Sequence, residues 1–244
     1  MEFLPNKGKN LVVEVHGRHF ARYPIKTKLI TPNDKDILKI VEEYAKKYAK
    51  PEDIIFISEK VVAITQGRSY PIKEIKASWS AKFLSQFVTK TPVGVGLGSP
   101  ETMQLAIEEV GLPRILIASV IGTIGKLFGI KGLFYIVAGH AARSIDGAVP
   151  YAIPPYNTYV SKGPLNANEV AENISRKLET KVAIVDANDF GVNILGISEN
   201  TKSPIIDGRR LLEINKKLVA KIIRDNPLGQ TDEQTPIGII RLVE

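Results

Sequence analysis

The sequence predicts an α/β fold, with mixed sheets and amphipathic helices in one compact unit over residues 1–244, and three observations carry that reading. Short β-branched runs such as Val182–Val185 and Ile237–Val243 alternate along the chain with stretches whose apolar residues recur at helical spacing. The 244 residues, 44% hydrophobic and 24% charged, suffice for a sizeable core. No internal repeat, low-complexity tract or domain linker interrupts the alternation.

Taken in order, Leu11–Val15 reads as a first strand, followed by His16-Gly17-Arg18-His19 as an exposed turn. Two His three apart share a face only on a helix, which the glycine argues against, so a metal role is not expected there. Pro24–Ile30 is extended and basic. Thr31-Pro32-Asn33-Asp34 announces a helix whose apolar residues keep register from Ile37 to Ala49, with Pro51 as its stop. Asp53–Thr65 is strand-like, with Ser58-Glu59-Lys60 interrupting it; polar residues inside an apolar strand mark a bulge, an edge or a site. Gln66-Gly67-Arg68 closes the run. Gly67 permits a tight bend, and Arg68 presents a planar fork of donors either to an anion or to solvent.

Trp79, Phe83, Leu84, Phe87 and Val88 mark an amphipathic helix whose aromatics are expected in the core. Gly94–Ser99 matches neither a Walker loop nor a dinucleotide fingerprint, and reads as a loop with Ser99 capping a helix from Pro100 to the Gly111 stop. The apolar Ile115–Ile121 leads through glycines and lysines, as a basic turn or short helix, into an expected strand Leu133–Ala138. A polar loop, Gly139–Gly147, follows. Tyr151–Tyr159, with three Pro and three Tyr, reads as an extended crossing. Asn168–Leu178 is a helix, a second runs from Leu211 to Ile223, and Ile237–Val243 is the final strand.

The stretch that organises the chain is Val182–Ser198. Its buried strand runs into Asp186-Ala187-Asn188-Asp189, and a second apolar run, Val192–Ile197, follows. Three acid or amide side chains in four positions make either a solvated turn or a seat for a hard cation such as Mg²⁺.

Composition narrows the function classes. With no cysteine there is no disulfide, thiolate nucleophile or Cys-based zinc site. Two Met and abundant Ile, Lys and Glu lean toward a thermophilic source. The net charge of +7 is spread along the chain, which suits small anionic substrates and argues against a nucleic-acid tail. No uninterrupted apolar run approaches the ~18 residues of a membrane span, and the first ten residues lack a signal-peptide core. A cytoplasmic protein without nucleic-acid or membrane partners is expected.

Several of these pieces, in this order, resemble the coenzyme F420-0:γ-glutamyl ligase family. Asp53–Arg68, DIIFISEKVVAITQGR, is similar to that family's strand leading into S-K-A-E-G-R. Ala138-Gly139 is similar to its A-G-I-D, and Val185–Gly196, VDANDFGVNILG, to its T-D-T-N-G-R segment. The resemblance implies an intertwined α/β homodimer acting as a GTP- and Mg²⁺- or Mn²⁺-dependent ligase, which joins glutamate to a phosphorylated acceptor. By position it implies Asp186 as a metal ligand with Asn188 beside it, and Asp146 as the nearest substitute for a second metal carboxylate. It further implies nucleotide or acceptor contacts from Thr27, Lys28, Leu29, Ile30, Glu59, Lys60, Gly67 and Arg68. Four positions depart from the family pattern: Ile64 stands for its Lys, Gln66 for its Glu, Ala187 for its Thr and Ala141 for its second Asp. The readings left open are the F420-0 ligase itself, a ligase for another anionic acceptor, and a non-catalytic binding protein on the same fold.

Overall fold

The structure is a computed structural model that describes residues 3–88, 96–130, 132–188, 191–199, 205–207, 210–212, 214–229 and 231–243, with the backbone alone at 205–207 and 210–212. The fold is α+β with a mixed sheet, and the chain gathers into two compact units. Unit 1 comprises Met1–Gln66 and Pro164–Glu244, and unit 2 is the intervening Gly67–Gly163.

Unit 1 begins with a hairpin of β1 (Val12–Val15) and β2 (Arg18–Ile25), turned at His16 and Gly17, both at positive φ. Helix α1 (Ile37–Tyr44) is shorter than the expected Thr31–Ala49. Asp36 caps it by accepting from Leu38 N, while Asp34 instead closes a turn on Thr31. Strand β3 (Ile54–Ser58) is buried throughout, and α2 (Glu59–Thr65) follows directly. The strand expected over Asp53–Thr65 is therefore half strand and half helix. Val61, Val62 and Ile64 are poor helix formers, but their burial in the helix outweighs that preference. Ser58-Glu59-Lys60 is the strand-to-helix junction.

In unit 2, β4 (Ser69–Pro71) leads to α3 (Trp79–Ser85) and α4 (Pro100–Val110), the latter capped as expected by a reciprocal Ser99–Thr102 box. Next come α5 (Leu112–Leu127), α6 (Leu133–Ala138) and α7 (His140–Arg143), and β5 (Tyr159–Ser161) returns antiparallel to β4. Leu133–Ala138 is thus a helix, where a strand was expected. Gly122 and Gly125 on α5 leave room for it: a Cβ at Gly125 would stand 2.5 Å from Leu133 Cδ1, and one at Gly122 2.9 Å from Phe134 Cβ. The α3 aromatics are also not core residues. Ala81 and Leu84 face inward, and Trp79, Phe83 and Phe87 are exposed.

Back in unit 1 the chain forms α8 (Ala167–Leu178), β6 (Lys181–Asn188), β7 (Gly191–Ile197), a small hairpin of β8 (Ile205–Asp207) and β9 (Arg210–Leu212), α9 (Lys216–Ile222) and β10 (Ile237–Val243). The helix expected from Leu211 starts only at Lys216, where Asn215 caps it by accepting from Leu218 N. The six strands of the main sheet run in the order β1-β2-β10-β3-β6-β7. One sheet face packs Ile54, Phe56, Ala183 and Val185 against Leu218, Val219 and Ile222 of α9. The other faces α2 and α8, where Gly196 lets the start of α8 approach: a Cβ there would lie 2.2 Å from Ala167 O.

Candidate functional site

Strand direction decides where the polar strand ends gather. β10 is antiparallel to both β2 and β3, and β3 is parallel to β6, so β2, β3 and β6 all point the same way. Ile25 pairs with Ile237, Ile237 with Ile57, and Ile57 with Ile184, which makes one buried row across four strands. Just past this row stand Thr27–Ile30, Glu59-Lys60 and Asp186–Asn188. In sheets with parallel strands, the carboxyl ends are where ligands bind, because backbone position is fixed there and side chains leave the core.

Eight of the expected site residues thus share one sheet end in unit 1, although they come from three distant segments. The alternation of β6 puts Val185 and Ala187 with the α9-side core, so Asp186 lies on the opposite face with Val182 and Ile184. Ser58 pairs with Val185, the last matched pair of β3 and β6, and Glu59 and Asp186 are the residues that follow on each side. Glu59 is buried in the first turn of α2, where the helix's positive end favours a carboxylate. Asn188 is exposed, and its Oδ1 accepts from Gly191 N at 3.1 Å. Asp189, expected to add a further oxygen, lies outside the described residues.

On the β2 side Thr27 is buried, with its N–H donating to Gln234 O at 2.9 Å and its hydroxyl to Lys28 O at 2.7 Å. Lys28 is exposed, and its Nζ lies 2.6 Å from Asp34. That hydrogen bond, followed by the Thr31 backbone donor, holds the Asp34 carboxyl below the usual range and raises the Lys28 ammonium. Leu29 is half-buried, and Ile30 is fully so.

Gly67, Arg68 and Asp146 belong to unit 2. Gly67 has φ +70 with open space around it, so its role is the turn itself. Arg68 does not project into solvent. Its Nε donates to Gly163 O at 2.7 Å and its Nη2 to Glu109 at 2.5 Å, with the two side chains 13% and 14% exposed. Lys162 joins the same cluster, 3.3 Å from Glu108 and 3.5 Å from Glu109. Asp146 is exposed, its backbone bridged to Ser161 by a pair of hydrogen bonds of 2.9 and 3.0 Å.

The departures from the family pattern have structural uses. Ile64 and Ala187 are buried, Ala187 in the apolar cluster on the α9 side of the sheet. Gln66 clamps the chain where it leaves and re-enters unit 1, donating to Leu165 O at 3.0 Å and accepting from Leu165 N at 2.8 Å.

The sequence reading missed the segment before β10. Gln234 O receives Thr27 N, and Pro236 O receives Ser58 N at 2.9 Å, so this turn lies between two of the site segments. Thr235 fixes it, accepting at its Oγ1 from Gly229 N at 2.8 Å and Asn6 Nδ2 at 2.7 Å. Its sequence, NPLGQTDEQTP, is dense in turn residues, which says nothing about where the turn lands.

Among the described residues no three His, Asp or Glu side chains are grouped to hold a metal ion. Glu59 and Asp186 follow the neighbouring positions Ser58 and Val185, and carboxylates at one sheet end suit Mg²⁺, which binds through one or two of them and completes its shell with water and substrate phosphate oxygens.

The sequence model of one protein family, described as F420-0:Gamma-glutamyl ligase, matches residues 24–188. That span takes in every site segment above. No curated protein matches the chain.

Proposed function

The chain belongs to the F420-0:gamma-glutamyl ligase family, and from that premise we propose that it is a ligase forming a γ-glutamyl amide bond on an anionic acceptor, with GTP as co-substrate. The carrying observation is the gathering of Thr27–Ile30, Glu59-Lys60 and Asp186–Asn188 at one end of a single sheet. The γ-phosphoryl group of GTP passes to the acceptor carboxylate, which leaves GDP and an acyl phosphate. The amine of glutamate then attacks the carbonyl carbon and phosphate departs with the C–O bond, leaving an amide that is γ-glutamyl where the activated carboxylate is the γ-carboxylate of a glutamate already on the acceptor. A divalent cation, when bound, would neutralise the phosphate charge that builds during this transfer.

Asp186 and Glu59, which follow the paired Val185 and Ser58, would hold the cation. Lys28 and Lys60 face phosphate or carboxylate groups, and Thr27 and Asn188 orient the ligand through hydrogen bonds. Arg68 is better read as a tie within unit 2, since two of its donors are already used there. The enzyme works in the cytoplasm as a homodimer, which light scattering tests: a monomer mass at micromolar concentration removes that part of the proposal.

A second reading, a family ligase for a different acceptor, draws on Ile64 and Ala187, because burial removes two groups that the family pattern places near the nucleotide. Melting curves with GTP or ATP, each with and without Mn²⁺, test the nucleotide site in the wild type and in Asp186→Asn. The wild type is expected to gain stability only with nucleotide and metal together, and Asp186→Asn to lose that gain. A variant that keeps all of it shows that Asp186 is not a ligand. Incubation with GTP, glutamate and F420-0, read by mass spectrometry, separates the two acceptor readings. A nucleotide shift without any glutamylated product favours the second.

A further inference from the structure

Residues 3–11 precede β1 in unit 1 without regular structure, and none of them is buried; Leu4 is 70% exposed. Apolar burial therefore contributes little to holding this segment in place. Polar ties and one aromatic contact hold it instead. The Phe3 ring lies 4.8 Å from that of Tyr23 and 5.1 Å from that of Tyr48. Asn6 O accepts from Lys9 N at 3.0 Å, which closes a turn through Gly8 at φ +75. Lys9 Nζ donates to Asp225 O at 2.5 Å, and the buried Arg22 donates to Asn10 O at 2.5 Å.

Asn6 reaches the turn before β10. Its Nδ2 donates to Pro227 O at 2.9 Å and to Thr235 Oγ1 at 2.7 Å. A backbone carbonyl can only accept, so Pro227 O fixes which end of the Asn6 amide points inward. Thr235 Oγ1 also accepts from Gly229 N, and the three groups are in tight contact: a Cβ on Gly229 would stand 2.9 Å from Thr235 Oγ1 and 3.0 Å from Asn6 Nδ2. Next to this knot is Gln234, at φ +50, a left-handed conformation that favours glycine. A side-chain-bearing residue stays in such a conformation only where its surroundings hold it. The Gln234 carbonyl receives Thr27 N at 2.9 Å, so a continuous path runs from Asn6 through Thr235 and Gln234 to Thr27.

We propose that Asn6 is a positioning residue for the candidate nucleotide site. By holding Thr235 it keeps Gln234 in its left-handed turn, and the Gln234 carbonyl in turn fixes the backbone of Thr27, where the Thr27–Ile30 segment begins. What that segment binds rests on the ligase reading; the coupling of Asn6 to Thr27 does not. A segment held by polar ties without a buried core opens at far lower cost than the sheet beneath it. The coupling is also reciprocal, so a ligand that needs Thr27 in place tightens residues 3–11 by the same factor.

Backbone amide exchange reads this coupling with no ligand present. Asn6→Ala is expected to speed exchange at Thr27 N–H about tenfold, while Ile239, fully buried in β10, keeps the wild-type rate. Thr235→Val removes the shared acceptor and should act alike, whereas Thr235→Ser keeps it and should leave Thr27 unchanged. Asn6→Ala added to Thr235→Val should then change nothing further at Thr27, because the two act in series. An unmoved Thr27 overturns the proposal. So do equal accelerations at Thr27 and Ile239, which would make Asn6 an ordinary contributor to stability, and so do effects of the two substitutions that multiply. The wild type supplies an arm that needs no variant to fold. At concentrations of GTP and Mn²⁺ that raise its melting temperature, Lys9 N–H, which donates to Asn6 O, is expected to exchange several-fold more slowly. A melting shift with Lys9 unmoved overturns the proposal. Absence of any melting shift defeats the ligase reading alone, since exchange at Thr27 still decides the role of Asn6.

Discussion

Ile184 in β6 and Ile117 in α5 carry the same side chain into opposite surroundings. Ile184 is fully buried in the row that crosses four strands of unit 1, while Ile117 is 56% exposed on the outer face of unit 2. The same contrast runs through both units. In unit 1 the branched side chains meet between sheet and helices, and polar residues appear where the strands end. In unit 2 the packing between α5 and α6 depends on glycine and alanine, the bulk points outward, and the inner polar ties are Arg68–Glu109 and Lys162–Glu108. Apolar pattern alone therefore shows that a face will be covered, and the size of the residues on the other face shows by what. A stripe of small residues is covered by the chain's own helix; a stripe of large ones awaits something else.

Substitutions can break or sharpen this contrast. The largest expected effect is Ile184→Ala, which opens a cavity in a fully buried row and should cost about 4 kcal/mol in urea unfolding. A cost near that of a surface residue would mean the row is not continuous core. Next is Arg68→Ala, which leaves Glu109 with Lys162 alone and Gly163 O without its donor, and should cost about 2.5 kcal/mol. A stable variant with weakened nucleotide binding would instead return Arg68 to the ligand site.

Asp225→Asn follows. The wholly buried Arg22 donates to both oxygens of Asp225 and to Ile222 O, while Asp225 itself is partly exposed, so the loss should be about 2 kcal/mol. Burial alone would raise this carboxyl, but the Arg22 hydrogen bond and charge outweigh it and hold the group below the ordinary carboxylate range. A depressed carboxyl stabilises the fold above its unfolded value and loses that contribution as pH falls through its folded value. The wild type should therefore weaken below about pH 4, and Asp225→Asn should weaken less over the same interval. Parallel acid curves would remove Asp225 from the account. The smallest effect belongs to Ile117→Ala, expected within about 0.5 kcal/mol of wild type. A loss comparable with that of Ile184→Ala would show that the α5 face is covered in the free protein.

Legibility in the sequence follows the same division. Strands with β-branched cores between polar ends, such as β6 and β10, and helices with a recognisable cap, such as α4, were readable because their signals are local. The runs Val61–Ile64 and Leu133–Ala138 were not, since a short apolar stretch has no period that separates a strand from a buried helix. Nor could the outward turn of Trp79 and Phe83 be read, because helical spacing identifies a face without saying which way it points. At the candidate site, Asp186 and Asn188 stand out by composition. Their neighbours Glu59 and Thr27 depend on the parallel register of β3 with β6 and on the placement of β10, which no local pattern carries.

The placement of β10 also sets the order in which the protein can be built. It is the last strand of the sheet in sequence, yet it lies in the middle, between β2 and β3, where Ile237 completes the row and Arg241 grips Asp53 through two hydrogen bonds of 2.8 and 2.7 Å. During synthesis the segment Gly67–Gly163 has emerged whole while unit 1 is still two separate pieces. The strands bearing Thr27 and Glu59 then have no shared partner until residues 237–243 arrive. A nascent chain can thus display its apolar helix face before the strand ends of the candidate site are held together, and a chain cut short of β10 would keep the first property and never gain the second.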